Sequence, residues 1–145
     1  MKRILFVCLG NICRSPMADG LAQHRISTHK LRAEVESAGT AAYHVGETAD
    51  PRTLEVLQSQ GIHYDGRARQ VCAADFERFD LILAMDRSNL KNLIRICPEE
   101  HQHKLHLLLE PTTGGEVPDP YYGGPSGFDD NRRQIESALE SWLPL

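Results

Sequence analysis

Residues 4–16 read ILFVCLGNICRSP, and this stretch decides the fold. Its first four residues, Ile4 to Val7, form an unbroken β-rich apolar run, which is typical of a strand covered on both faces in a parallel sheet. Ser15 and Pro16 are typical of a helix start, with serine as the N-cap and proline at the first helical position. The stretch therefore predicts a strand, a short loop and a helix in direct succession.

The rest of the chain continues this alternation of strands and helices. Apolar periodicity, together with Gly and Pro stops, predicts strands at 34–38, 80–85 and 104–109, and helices at 51–61, 88–96 and 134–143. Strands separated by helices need crossover connections, which give a right-handed parallel sheet. We therefore expect a three-layer α/β fold in which a four-stranded parallel sheet carries helices on both faces. Ligands bind such sheets beyond the carboxyl ends of the strands.

Length and composition are those of one ordinary globular domain. The chain has 145 residues, of which 41% are apolar and 25% charged. The 16 Lys and Arg stand against 20 Asp and Glu, so the excess of basic residues needed for non-specific nucleic-acid binding is absent. No repeat or linker divides the sequence. We expect residues 1–145 to form a single domain and a monomer, with no nucleic-acid partner.

The compartment is predicted from the N-terminus and the cysteines. The first apolar run is too short for a signal peptide, and no segment approaches the ~20 apolar residues of a membrane span. We therefore expect a cytoplasmic protein without membrane insertion. Cys8, Cys13, Cys72 and Cys97 form no CxxC pair, and in a reducing compartment such cysteines are more often free thiols than disulfides.

The loop between the first strand and its helix reads C-x5-R-S; we call residues 8–15 the anion loop. A short loop that enters a helix N-terminus turns backbone N–H groups into a concavity, and the helix dipole favours an anion there. Gly10 and Asn11 suit the positive-φ backbone of a tight loop, and Arg14 offers a planar fork for two phosphate oxygens. The other residues expected to bind the anion through this loop are Leu9, Ile12, Cys13 and Ser15.

Cys8 ends the strand and is predicted to lie beneath the bound anion. A helix N-terminus and a nearby arginine favour the thiolate, which is the nucleophilic form of cysteine. A lone cysteine is more often a small buried apolar residue. The combination with Arg14 and the glycine-containing loop favours a nucleophile over that alternative.

Further motifs follow the anion loop along the chain. In chain order they are VCLGNICRSPMA at 7–18, SAGT at 37–40, DPR at 50–52, RARQ at 67–70, AMD at 84–86 and DPYY at 119–122. Together they resemble the low-molecular-weight protein tyrosine phosphatase family, in its bacterial type. Two positions depart from the family pattern: Gly66 replaces a frequent His, and Asp19 replaces a frequent Glu.

The resemblance implies hydrolysis of protein phosphotyrosine and aryl phosphates through a phosphocysteine, without metal or other cofactor. Cys8 would attack phosphorus while Asp119 protonates the leaving oxygen and later activates water. Arg14 and the loop amides would hold the phosphoryl oxygens, Ser15 would hydrogen-bond the sulfur, and Asn11 would fix the loop. From the residues alone, an Asp-Pro pair such as Asp119-Pro120 is more often an ordinary Asx turn, and it is the resemblance that favours Asp119 as the acid. The expected partner is a phosphotyrosine-containing protein, with an autophosphorylating tyrosine kinase as one candidate.

Three tyrosines are candidate walls for an aromatic substrate. Tyr43, Tyr121 and Tyr122 can each grip a ring or pack half-buried against the protein. The resemblance favours Tyr43 and Tyr121 as walls.

Three histidines, His101, His103 and His106, alternate on a segment that leads into a predicted strand. They look like a metal cluster, but histidines in this arrangement are more often solvated, and no cysteine lies near them in sequence. We predict no metal site.

Other functions remain open on the same anion loop. Arsenate reduction needs resolving cysteines placed together, and Cys72 and Cys97 lie far apart in sequence. In phosphoarginine phosphatases the residue before the second loop cysteine tends to be Thr, whereas here it is Ile12. A non-catalytic phosphoprotein-binding module would lack the nucleophile or the acid.

Cys13 is also predicted to make the enzyme redox-sensitive by trapping oxidised Cys8 in a reversible disulfide.

Overall fold

Four parallel strands form the central sheet of the protein. The computed structural model describes residues 1–121, 123–124 and 126–145. The strands are β1 (Lys2–Cys8), β2 (Ala33–Gly39), β3 (Leu81–Ala84) and β4 (Leu105–Leu107). Their order across the sheet is β2-β1-β3-β4. The predicted four-stranded parallel sheet is confirmed.

Helices connect the strands. In the described chain they are α1 (Arg14–His29), α2 (Pro51–Ser59), α3 (Ala73–Arg78), α4 (Arg87–Ile96) and α5 (Gly127–Trp142). A 3-10 helix at Glu99–Lys104 precedes β4. No helix of the described residues is both long enough and apolar enough to cross a membrane.

The core lies on both faces of the sheet because successive β1 side chains point to opposite sides. Ile4 and Phe6 are fully buried against α1, α2 and α5, in a cluster that includes Ile135. Leu5 and Val7 are fully buried on the other face, in a cluster built largely from α3 and α4. Each such side chain contributes about 1.5–3 kcal/mol through burial. The three-layer prediction is confirmed.

One helix was not predicted from the sequence, and another begins several residues earlier than predicted. The structure contains α3, which the sequence analysis missed; its first turn is closed by the Asp75 carboxylate, which accepts a hydrogen bond from the Cys72 amide at 2.8 Å. The predicted start of the last helix at 134 is wrong, because α5 begins at Gly127. Asn131 interrupts the apolar stripe of α5 between Phe128 and Ile135, so hydrophobic periodicity alone hides the first turns.

The sheet order creates a crevice at the carboxyl ends of β1 and β3. β1 pairs with β3, Val7 opposite Ala84, yet α1 carries the chain from β1 to the β2 side while α4 leads from β3 toward β4. Where neighbouring strands send their connections to opposite sides, the loops part and leave room for a ligand. The anion loop and the residues after Ala84 therefore face each other.

Candidate active site

The anion loop is held by backbone hydrogen bonds that its own carbonyls accept. Thr40 N donates to Cys8 O at 3.0 Å, and Asp50 N donates to Ile12 O at 2.8 Å. Within the described part of the chain, the amides of residues 10–13 donate to no protein acceptor. An anion is the natural partner for such amides at a helix start.

Asn11 and Gly10 occupy their positions in the anion loop for different structural reasons. Asn11 has a φ of 59°, so the predicted positive φ is confirmed there. The same prediction for Gly10 is wrong, since its φ is not positive. A Cβ at Gly10 would lie 2.9 Å from Cδ2 of His44, so close packing, not backbone angle, favours glycine at this position.

Cys8 lies buried at the end of β1, at the start of a chain of hydrogen-bonded groups. Its Sγ is 3.0 Å from Ser15 Oγ, which accepts a hydrogen bond from Asn11 Nδ2 at 2.8 Å. Asn11 Oδ1 in turn accepts from the Arg69 amide at 2.9 Å. The prediction that Ser15 is the N-cap of the helix is wrong. Cys13 occupies the cap position, and the Ser15 hydroxyl lies inside the first turn, beside the sulfur and 3.4 Å from the Ala38 carbonyl to which it donates.

Arg14 is fixed by acceptors from two other segments. Its Nη1 donates to Asp86 Oδ2 at 2.6 Å and to Val117 O at 2.9 Å, and only 3% of its side chain is exposed. Asp86 is itself held at the start of α4, where it accepts a hydrogen bond from the Asn89 amide at 2.7 Å. A charge-assisted bond of this kind orients the guanidinium fork before any ligand binds.

Asp119 lies across the crevice from the anion loop. Its Oδ2 is 3.9 Å from Arg14 Nη2, and its Oδ1 accepts from the Tyr121 amide at 3.0 Å. The carboxylate is therefore in an Asx turn and also faces the site, so the two interpretations of this residue are compatible. Nearly half of its side chain is exposed, which leaves it accessible to a substrate.

These residues line an open cleft of about 300 Å³. Its lining residues are Cys8, Leu9, Gly10, Ile12, Cys13, Arg14, Tyr43, His44, Asp119 and Tyr121. Tyr43 and Tyr121 are exposed at its rim. The prediction for Tyr122 lies outside the described residues. Asp86 entered the sequence analysis only as part of the AMD motif, without a role, although an Asp between a buried strand and a helix was a signal for one. His44 was missed, because a single His in a polar loop gives no signal.

Cys13 is a neutral thiol in this environment. Burial raises its pKa to about 12, and the carboxylate of Asp50 adds to the shift. The side chain is 6% exposed and belongs to the N-cap residue of α1. Any chemistry of Cys13 therefore begins with the loss of a strongly held proton.

The predicted histidine cluster is divided between two elements. His101 and His103 lie in the 3-10 helix, while His106 lies in β4 and is hydrogen-bonded through Nδ1 to Glu110 Oε2 at 2.8 Å. Among residues 1–121, 123–124 and 126–145, no group of three His, Cys, Asp or Glu side chains is placed to hold a metal.

The two departures from the family pattern meet at Tyr64. Its hydroxyl donates to Asp19 Oδ2 at 2.8 Å and lies 3.3 Å from Ser37 Oγ. The same hydroxyl occupies the space that a Cβ at Gly66 would need. Glycine at 66 is therefore the residue that this tyrosine arrangement allows.

Comparison with known proteins identifies the family. A family model described as "Low molecular weight phosphotyrosine protein phosphatase" matches residues 3–144. The chain belongs to this family. It is 45% identical to the low molecular weight phosphotyrosine protein phosphatase of Schizosaccharomyces pombe, over 97% of this chain and 94% of that protein. The predicted family and enzyme class are confirmed: the phosphatase described here is a hydrolase of the phosphotyrosine phosphatase family.

Solved structures of related proteins share its fold. A protein tyrosine phosphatase from Entamoeba histolytica superposes with a TM-score of 0.93 at 41% identity, covering 98% of this chain and 94% of that one. A YwlE arginine phosphatase superposes with a TM-score of 0.89 at 30% identity, covering 97% of this chain and 92% of that one. The α/β fold is therefore that of the family.

Proposed function

We propose that Cys8, Arg14 and Asp119 hydrolyse phosphotyrosine esters in this phosphatase. One observation supports this most strongly: the Cys8 sulfur lies at the N-terminus of α1, beside amides that have no protein acceptor within the described residues, with Arg14 of the same loop and Asp119 across the crevice lining the same cleft. This arrangement supplies a nucleophile, an anion site and a proton donor within one cleft.

In the first step the Cys8 thiolate attacks phosphorus and an S–P bond forms. The P–O bond to the aryl group breaks, and Asp119 gives its proton to the departing phenolic oxygen. Arg14 and the amides of the anion loop bind the three remaining phosphoryl oxygens as charge accumulates on them. The products of this step are a phenol and phosphocysteine.

In the second step water attacks the phosphocysteine. The ionised Asp119 takes a proton from the water, a P–O bond forms, and the S–P bond breaks with its electrons returning to sulfur. The Ser15 hydroxyl, 3.0 Å from Sγ, donates a hydrogen bond to the departing thiolate, and Asn11 holds that hydroxyl in place. Phosphate is then released from the anion loop.

The rim of the cleft favours an aromatic phosphate ester. Tyr43 and Tyr121 offer ring faces beside the anion loop, and Leu9 and Ile12 add apolar surface. We therefore propose a protein phosphotyrosine as the substrate, with an autophosphorylating tyrosine kinase as one candidate source. We further propose that the protein is a cytoplasmic monomer of one domain, in which four free thiols suit a reducing compartment.

Phosphoarginine is the second candidate substrate, since YwlE is an arginine phosphatase with a closely similar fold. Ile12 and the tyrosine rim favour the aryl ester. Arsenate reduction is a weaker candidate function, because Cys97, one of the possible resolving cysteines, is buried and has a raised pKa. A non-catalytic binding role is also a weaker candidate, because both the candidate nucleophile and the candidate acid are present.

A substrate panel tests the proposal. Purified protein is given matched phosphotyrosine, phosphoserine and phosphoarginine peptides in the presence of EDTA, and released phosphate is measured. We expect turnover of the phosphotyrosine peptide and none with Cys8→Ser, which should still bind vanadate. Preference for phosphoarginine, loss of activity in EDTA, or turnover by Cys8→Ser within tenfold of wild type would contradict the proposal.

A further inference from the structure

The segment that carries Asp119 is anchored on both sides of this residue. Before it, Val117 N donates to Met85 O at 2.8 Å, and Asn131 Nδ2 donates to Pro118 O at 3.2 Å. After it, Arg52 Nη1 donates to Tyr121 O at 3.2 Å. The bond of Val117 lies in the buried core, and that of Asn131 is partly buried. The bond after Asp119 is exposed and comes from the half-exposed side chain of Arg52.

Arg52 packs against this segment as well as bonding to it. Its guanidinium carbon lies 5.3 Å from the ring centroid of Tyr121 and 4.5 Å from that of Phe128, at the start of α5. A cation at such a distance over an aromatic ring is attracted to the negative face of that ring. The arginine therefore joins the end of the Asp119 segment to the beginning of α5.

The other side of Arg52 is fixed to the anion loop. Its Nε and Nη2 donate to the two oxygens of Asp50, each at 3.0 Å. Asp50 in turn donates its amide to Ile12 O, and neighbouring Thr53 donates its hydroxyl to Cys13 O at 3.2 Å. Although burial alone would raise the pKa of Asp50, its bonds to Arg52 hold that pKa below the usual range. The carboxylate thus stays charged and keeps the arginine in one orientation.

We propose that Arg52 is a positioning residue for the acid, because it ties the Asp119 segment to the anion loop and so sets the distance between Asp119 and the leaving oxygen. The proposal rests on the assignment of Asp119 as the proton donor. Arg52 is absent from the lining of the cleft and acts through the backbone of Tyr121. A carboxylic acid that is misplaced by as little as an ångström transfers its proton less efficiently.

Removal of Arg52 should therefore reduce proton donation and leave anion binding intact. A positioned acid contributes about 10²–10⁴ in rate, and partial loss of positioning should forfeit about tenfold of this. A tyrosine phenolate needs the proton, whereas a nitrophenolate leaves readily without it. We expect Arg52→Ala to slow single-turnover phosphorylation by phosphotyrosine about tenfold and that by p-nitrophenyl phosphate less than about threefold. Inhibition by inorganic phosphate should not change.

Arg78→Ala is a matched control. Arg78 pairs with the carboxylate of Glu36, lies 4.9 Å from the ring centroid of Phe79, and is 49% exposed against 47% for Arg52. Its loss removes a similar ion pair and ring contact far from the Asp119 segment. We expect this variant to keep wild-type rates with both substrates.

A double-mutant cycle separates positioning from a general structural role. The variants are Arg52→Ala, Arg52→Lys, Asp119→Ala and the double variant Arg52→Ala/Asp119→Ala, each with its melting temperature measured. If Arg52 acts through Asp119, the double variant is no slower with phosphotyrosine than Asp119→Ala alone. Arg52→Lys keeps the charge and loses the planar fork, so it should restore part of the rate.

Three results would overturn the inference: an unchanged rate for Arg52→Ala, an equal loss with both substrates, or losses that multiply in the double variant. If Arg52→Ala fails to fold, Arg52→Lys is judged by the same criteria. If Asp119→Ala itself shows no dependence on the leaving group, the assignment of the acid fails. That outcome is distinguishable from failure of the Arg52 role alone.

Discussion

Asp19 gives the phosphatase a buried carboxyl group whose titration should be visible in its stability. The side chain is 5% exposed, and its oxygens accept hydrogen bonds from Gln23 Nε2 and the Tyr64 hydroxyl, both at 2.8 Å. Burial raises its pKa to about 6, because the two hydrogen bonds only partly offset the cost of burying the charge. Asp19→Asn removes the titration while keeping the shape of the side chain.

The magnitude follows from the size of this shift. A change from 3.8 to about 6 is about two pKa units, worth about 3 kcal/mol at 1.36 kcal/mol per unit. The folded pKa lies above the unfolded value, so this stabilisation is fully present below about pH 4 and is lost as the pH rises through about 6. The wild type should lose about 2 kcal/mol of it between about pH 4.5 and about pH 7.5, and the variant should lose none.

Urea unfolding at these two pH values measures the effect. The free energy of unfolding of Asp19→Asn minus that of the wild type should rise by about 2 kcal/mol between them. Asp75→Asn is the control. Although burial opposes it, the bonds from Arg69 hold the pKa of Asp75 below its usual range, so its stabilisation is lost only as the pH falls. The free energy of unfolding of Asp75→Asn minus that of the wild type should therefore not rise with pH. A flat difference for Asp19→Asn would refute the reasoning.

Other consequences of the structure are testable in the same protein. Asp86→Ala removes a charged partner of the buried Arg14 guanidinium and should cost about 3 kcal/mol of stability. Added phosphate should raise the melting temperature of this variant more than that of the wild type. An equal rise in the two proteins would contradict this prediction. Gly39→Ala places a Cβ 2.7 Å from a backbone oxygen of the anion loop, so kcat/KM should fall at least about tenfold, and wild-type kinetics would contradict the contact. The pKa of Cys13 is about 12, so its reactive thiolate becomes about tenfold more abundant with each pH unit near neutrality. Its attack on peroxide-oxidised Cys8, followed by thiol alkylation, should accelerate by the same factor. A rate independent of pH would exclude Cys13 as the partner of Cys8.

The local parts of the site were predictable from the sequence. The first strand, the anion loop and α1 follow one another without a break, so the position of Cys8 beneath a helix N-terminus needs only short-range signals. Ser15 shows the limit of such signals. It resembles an N-cap, but the helix begins at Arg14, so Ser15 lies inside the first turn. There its hydroxyl oxygen accepts a hydrogen bond from Asn11 and lies beside the Cys8 sulfur.

The parts that depend on sheet order were not predictable. Asp86 contacts Arg14 only because β1 and β3 are neighbours, with Val7 opposite Ala84. Nothing in the residues around Asp86 indicates that pairing. Asn131 is a similar case: as a polar residue in a buried stripe it hides the start of α5, although its amide holds the Pro118 carbonyl beside the candidate acid.

The central claim is that a phosphoryl group passes through Cys8. Rapid mixing of the phosphatase with a phosphotyrosine peptide, followed by acid quenching and mass spectrometry of the peptide containing residues 4–14, tests it most directly. The account predicts one phosphoryl group on Cys8 in the wild type and in Cys13→Ser, appearing at the rate of phenol release. A phosphoryl group on Cys13 would contradict the claim. Phenol release without phosphorylated enzyme, in any variant whose second step is slowed, would also contradict it.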